Sequence, residues 1–170
     1  SGKSSAGKLL AKSLHYRFVS IGQKVREHAA ELGQDIVELT KNPEQEAEIQ
    51  RDVEAFLDSL NNEDNIVVDG RDAFHHLPGA VKLFLVVSEE EAAKRIFLDK
   101  RTGKPAFTSV QDAQKSIAFR REWDRERYKK MHGIDYLDTK NYDFVLDTQR
   151  IGVEEVAQKL IDYISTTIVQ

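Results

Sequence analysis

The sequence predicts an α/β fold in which a mainly parallel sheet is flanked by helices, and three observations predict it. Short β-rich runs (RFVS, NIVVDGRD, VKLFLVV and YDFVLD) lack the period-two alternation of a half-exposed sheet and so read as strands buried on both faces. Between them lie stretches whose apolar residues recur at helical spacing. The 170 residues are 40% hydrophobic and 32% charged with three prolines and nine glycines, which suits one helix-rich domain spanning residues 1–170.

Taken in order, residues 3–16 place Ala6, Leu9, Leu10 and Leu14 on one face of an opening helix. Strand 17–20 follows, then Gly22 and the helical stretch 23–32, which Gly33 closes as a cap. Asn42-Pro43 starts a second long helix, because proline is tolerated in a first turn, and Ile49, Val53, Phe56, Leu57 and Leu60 form its apolar stripe as far as Asn61-Asn62. Ile66, Val67 and Val68 form the next strand, with Asp69-Gly70 at its carboxyl end. Strand 81–87 leads into Ser88 and Glu91, a capping box for the helix up to Leu98. Residues 100–109 form a Gly- and Pro-containing loop, 110–131 a long charged helix, 142–147 the last strand and 153–168 the closing helix, with Val156, Leu160, Ile161 and Ile164 inward. The loop and helix rich in Arg are expected to be mobile.

Charge narrows the partners. The net charge of -4 argues against a general nucleic-acid binder, yet 94–130 holds twelve Lys and Arg against five Asp and Glu, so an anion is expected there. Cysteine is absent, which rules out disulfides and thiolate metal sites and suits a reducing compartment. No apolar run reaches membrane-spanning length and no charged-then-apolar leader opens the chain, so a cytoplasmic protein without a membrane partner is expected.

Three constellations carry chemistry. Ser1-Gly2-Lys3-Ser4-Ser5 is the second half of the phosphate-binding pattern G-x-x-x-x-G-K-[ST], set where a helix begins. There Gly2, Ser4 and Ser5 offer backbone N–H groups to phosphate oxygens, Lys3 a point charge, and the Ser4 hydroxyl a ligand for Mg²⁺. The pattern's first glycine and feeding strand would precede Ser1, so a trimmed N-terminus is expected. At the end of a buried strand, Arg71 of Asp69-Gly70-Arg71-Asp72 offers a phosphate clamp, and Asp69 could hold Mg²⁺ through water or orient Lys3; the alternative is a turn with a local Arg–Asp pair. Arg120, Asp124 and Arg127 share one helix face at i, i+4 and i+7, either as a polar wall against a transferred phosphoryl group or as solvated surface pairing.

Together the motifs resemble the cytidylate kinases, in particular the short archaeal type among the nucleoside monophosphate kinases. The likeness rests on the GKSS start, FVSIGQKVREHAAELGQD with Gly22 and Arg26 spaced G-x-x-x-R, VVDGRD, RREWDRERYKKMHGID, and YDFVLDT before the last helix. It implies a P-loop kinase fold and transfer of the ATP γ-phosphoryl to CMP or dCMP with Mg²⁺. By that likeness Lys3 and Ser4 hold the ATP phosphates and Mg²⁺, while Ser20, Gly22 and Arg26 begin the monophosphate side. Arg71, Asp72, Arg120, Asp124 and Arg127 then surround the acceptor, with Lys3, Arg120 and Arg127 catalytic, and residues 100–109 resemble the lid. Small-molecule nucleotides are the expected partners and a monomer the expected state.

The chain departs from bacterial relatives in carrying Ala73-Phe74-His75-His76 where glycine and threonine commonly follow GRD. Adjacent histidines without a third ligand read as solvent-facing. Trp123 reads either as a base-stacking ring or as a packing anchor, and Asp147-Thr148 as part of an adenine-side contact or as a cap of the last helix. Two other functions fit the same motifs: a small P-loop kinase with another nucleotide or a metabolite as acceptor, and a non-catalytic nucleotide- or nucleic-acid-binding module.

Overall fold

The computed structural model describes residues 2–33, 42–99 and 107–168. Along them run α1 (Lys3–Leu14), β1 (Arg17–Ser20), α2 (Ile21–Glu31), α3 (Pro43–Ser59), β2 (Ile66–Asp69), α4 (Ala73–His76), β3 (Leu83–Val86), α5 (Glu89–Leu98), α6 (Val110–His132), β4 (Phe144–Asp147) and α7 (Val153–Ile168). Residues 100–106 of the expected lid lie outside the described residues.

The contacts divide the chain into two compact units, Gly7–Ala80 and a second made of the residues up to Ala6 together with those from Val81 onward. In the first, β1 and β2 pair in parallel, with Arg17 opposite Ile66 and Ser20 opposite Asp69. Parallel pairing needs a crossover, and α2 and α3 provide it. The stripe read on α3 is the heart of this unit: Ile49, Val53, Leu57 and Leu60 cluster with Val19, Ile21, Ala29, Ala73 and Leu77, and Phe56, Ile66 and Val68 pack against them. Gly7 in α1 is a close-approach position, since a Cβ there would lie 2.8 Å from the Phe18 ring of β1.

In the second unit β3 and β4 are also parallel, with Leu83 opposite Phe144 and Val86 opposite Asp147. The expected capping at Ser88 is present: its hydroxyl accepts the Glu91 N–H at 3.2 Å and opens α5. Helix α6 packs along α5 and begins in the same way, with Ser109 Oγ accepting the Asp112 N–H at 3.0 Å. It ends at Gly133, whose φ of 69° is the left-handed conformation that glycine adopts without a Cβ penalty. The strands at 81–87 and 142–147 are shorter than expected, because each begins only where its ladder does. No helix among the described residues is long and apolar enough to cross a membrane.

Candidate active site

Ligands of parallel α/β folds gather at the carboxyl ends of strands, and in the Gly7–Ala80 unit those ends are Ser20 and Asp69, which are register partners. Ser20 has a structural task there: its Oγ accepts the Gln23 N–H at 3.3 Å and caps α2. Gly22 therefore falls in the first turn of α2 and Arg26 one turn later, and a Cβ on Gly22 would sit only 3.5 Å from a guanidinium nitrogen of Arg26. The G-x-x-x-R spacing thus lays an exposed arginine head across a bare Cα. Gly70 follows Asp69, and a Cβ there would meet Ile21 Cγ1 at 3.0 Å and Ala73 Cβ at 3.1 Å, so glycine is what lets the strand end turn against α2.

Beyond that turn Arg71 is half-buried, while the side chain of Asp72 is 2% exposed and its Oδ2 has no hydrogen-bond partner among the described residues. A buried carboxylate oxygen is costly unless a donor meets it.

In the other unit, α1 opens at Gly2, whose φ of +92° is left-handed and whose carbonyl accepts the Ala6 N–H at 2.9 Å. The first turn carries no acidic residue, so the amides of Lys3, Ser4 and Ser5 and the exposed Lys3 side chain form a helix start suited to phosphate. The Ser4 hydroxyl in this unit is of the oxygen class that Mg²⁺ takes, and so, taken by itself in the Gly7–Ala80 unit, is the Asp69 carboxylate.

The arginines of α6 fall into two kinds. Arg121 pairs with Glu89 at 3.3 Å, and Arg125 donates Nε and a terminal nitrogen to Asp135 Oδ2 at 2.9 and 2.7 Å. The Arg125 bond holds the Asp135 carboxyl below the usual carboxylate range, helped by the Leu137 N–H and opposed by partial burial. Those two arginines are structural. Arg120 and Arg127 instead flank Asp124, at 3.9 and 3.3 Å. The Asp124 side chain is 8% exposed and sits among the buried residues of the helix with Ala113 and Tyr128, so the solvated-pair alternative does not describe it.

Other expectations are corrected. His76 is not solvent-facing: its ring is 8% exposed and its Nδ1 lies 2.9 Å from Asp58, because residues 73–76 form a short helix that turns it inward, while His75 stays exposed. Asp147-Thr148 does not cap α7. The Thr148 hydroxyl donates to the Val86 carbonyl at 3.0 Å, and Asp147 Oδ1 accepts the Gln149 N–H at 2.8 Å. Trp123 is 36% exposed and stacked on Phe119 with ring centroids 6.3 Å apart. The sequence reading passed over Tyr128, although its signal was present: Ala113, Ile117, Asp124 and Tyr128 trace one stripe, and a carboxylate within a buried stripe marks its neighbours.

The model of the cytidylate kinase-like family matches residues 1–150. The chain belongs to that family. As a family member it is 34% identical over 170 residues to a cytidylate kinase of Pyrobaculum aerophilum, covering 99% of this chain and 89% of that protein. It is also 34% identical over 164 residues to an S-adenosylmethionine-dependent nucleotide dehydratase of Lacinutrix mariniflava, covering 95% of this chain but 33% of that protein, so the chain spans about a third of that relative's length. A crystal structure of shikimate kinase from Bacteroides thetaiotaomicron superposes with a TM-score of 0.62 at 16% identity, covering 96% of this chain and 92% of that one. The fold of this family member is therefore that of the P-loop kinases.

Proposed function

We propose that this cytidylate kinase-like protein transfers the γ-phosphoryl group of ATP to the phosphate of CMP or dCMP. An oxygen of the acceptor phosphate bonds to the γ-phosphorus while the bond to the β–γ bridging oxygen breaks, leaving ADP. The acceptor phosphate is already nucleophilic, so no general base is needed. Catalysis comes from alignment and from cations that neutralise charge on the transferred group. Gly2, Lys3, Ser4 and Ser5 are assigned to the ATP phosphates, with Mg²⁺ held through Ser4 and Asp69 and supplying charge neutralisation when bound. Arg120 and Arg127 are assigned to the transferred group, Asp124 to orienting them, and Ser20, Gly22, Arg26, Arg71 and Asp72 to the acceptor. The whole chain is assigned to one kinase domain acting on small-molecule nucleotides.

The observation that carries the choice of acceptor is the buried Asp72 oxygen without a hydrogen-bond partner among the described residues. A carboxylate takes a donor, which the exocyclic amine of cytosine supplies and the carbonyl of uracil does not. ADP release from Mg·ATP with CMP, dCMP, UMP, AMP and shikimate tests this, run on the wild type and on Asp72→Asn. The expected result is preference for CMP and dCMP, with the CMP-over-UMP ratio in kcat/KM falling about tenfold or more in Asp72→Asn. An unchanged ratio would remove Asp72 from base selection, and preference for shikimate would replace the acceptor class. The likeness to part of a nucleotide dehydratase favours a second reading, a module that presents a nucleotide to another activity; nucleotide binding without ADP release would support it.

A further inference from the structure

The Arg127 guanidinium is met by two side chains of its own helix, and one of these, Tyr128, is in turn packed by residues beyond that helix. Neighbouring helical residues point about 100° apart, yet the Arg127 guanidinium lies 4.8 Å from the centre of the Tyr128 ring and donates to the Tyr128 hydroxyl at 2.9 Å as well as to Asp124. Tyr128 is 5% exposed, and its ring meets that of Tyr136 edge-on, at 5.7 Å and 87°. Tyr136 is equally buried; its hydroxyl donates to the Arg121 carbonyl at 3.1 Å and its carbonyl accepts from the Tyr142 hydroxyl at 2.6 Å. Tyr142 in turn stacks on Phe84 of β3, with centroids 4.5 Å apart. An aromatic chain therefore runs from the sheet to the arginine inside one unit.

We propose that Tyr128 is a positioning residue for Arg127, fixing the guanidinium that the kinase reading places against the transferred phosphoryl group; the inference rests on that reading. The phenol suits this task. A flexible arginine loses considerable rotamer freedom when it engages phosphate, and a buried hydroxyl restricts it in advance. Unlike a second carboxylate, a neutral acceptor adds no further negative charge beside the guanidinium. The link through Tyr136 and Tyr142 to β3 makes the hydroxyl a rigid reference.

The test is a double-mutant cycle in the full chain, with Tyr128→Phe, Arg127→Ala and the pair, read as kcat and KM with CMP and Mg·ATP. Tyr128→Phe keeps the ring and its packing and removes one hydrogen bond to a charged group, so kcat should fall about tenfold with KM for ATP within about twofold. In the Arg127→Ala background the same change should have no further effect. Wild-type kcat in Tyr128→Phe, or an equal loss in both backgrounds as general loosening of the fold would give, overturns the positioning role and leaves the kinase reading intact. Wild-type turnover in Arg127→Ala overturns the assigned role of Arg127, and the inference with it.

Discussion

Gly70 shows how one residue couples strand end to site. The absent Cβ is the space that Ile21 and Ala73 occupy on either side of the turn, and both are buried in the core of their unit, so neither yields easily. Gly70→Ala is expected to cost about 1–3 kcal/mol, the usual range for overpacking a well-filled site, read as a lower urea midpoint at unchanged m-value. An unchanged midpoint would mean that the turn relaxes freely and that Gly70 is not what brings Asp69 and Asp72 to their places. Asp72 illustrates the limit of residue-by-residue reading. Its type and position were legible in GRD, but its 2% exposure was not: it stands immediately before the short helix α4, and four residues without periodicity give no sequence signal for that helix.

Among the elements, α6 concentrates the account. Its charge left two readings open, a polar wall against phosphate and solvated surface pairing, and Arg125 follows neither, since its partner Asp135 lies beyond the end of the helix. The depressed carboxyl of Asp135 fixes the sign of a pH dependence. A group whose pKa is lower in the folded than in the unfolded chain stabilises the fold above its unfolded value, and that contribution fades as pH falls through the folded one. Arg125→Ala should therefore lower the urea midpoint at about pH 7 and approach the wild type as pH falls below the ordinary carboxylate range and through the lowered value of the folded Asp135. A midpoint difference that persists undiminished in acid would show that Arg125 acts through packing and not through this pair. The start of α5 was legible because a capping side chain acts within four residues of its target, Ser88 on Glu91, and that of α3 because Pro43 suits a first turn; Asn42 on Gln45 and Ser109 on Asp112 cap α3 and α6 in the same local way. The start of α2 was misplaced by two residues, since Gly22 resembled a boundary when Ser20 is the cap. Contacts between elements left no such mark. Nothing near Tyr128 in sequence announces Tyr136, Tyr142 and Phe84 behind it.

At the scale of the whole molecule, four β-rich runs alternating with helices were sufficient for the parallel α/β class, and both observed strand pairs are parallel. The P-loop kinase fold then follows from family membership and from the likeness to shikimate kinase. The candidate site was legible as residue types at fixed spacing, because phosphate recognition draws on a small vocabulary of helix starts, lysines and forked guanidiniums. Which of the arginines are already committed to structural pairs was not legible, since Glu89 and Asp135 belong to other parts of the chain. The measurement that tests the central claim most directly is the conversion of CMP to CDP by the full chain with Mg·ATP, compared with Lys3→Ala at matched folded concentration. Lys3 is exposed at the start of α1, so its loss should leave the fold in place and remove most turnover, about a hundredfold or more for a charge acting on the transferred phosphate. Equal rates of CDP formation in the two proteins, or none in the wild type, would contradict the phosphoryl-transfer account.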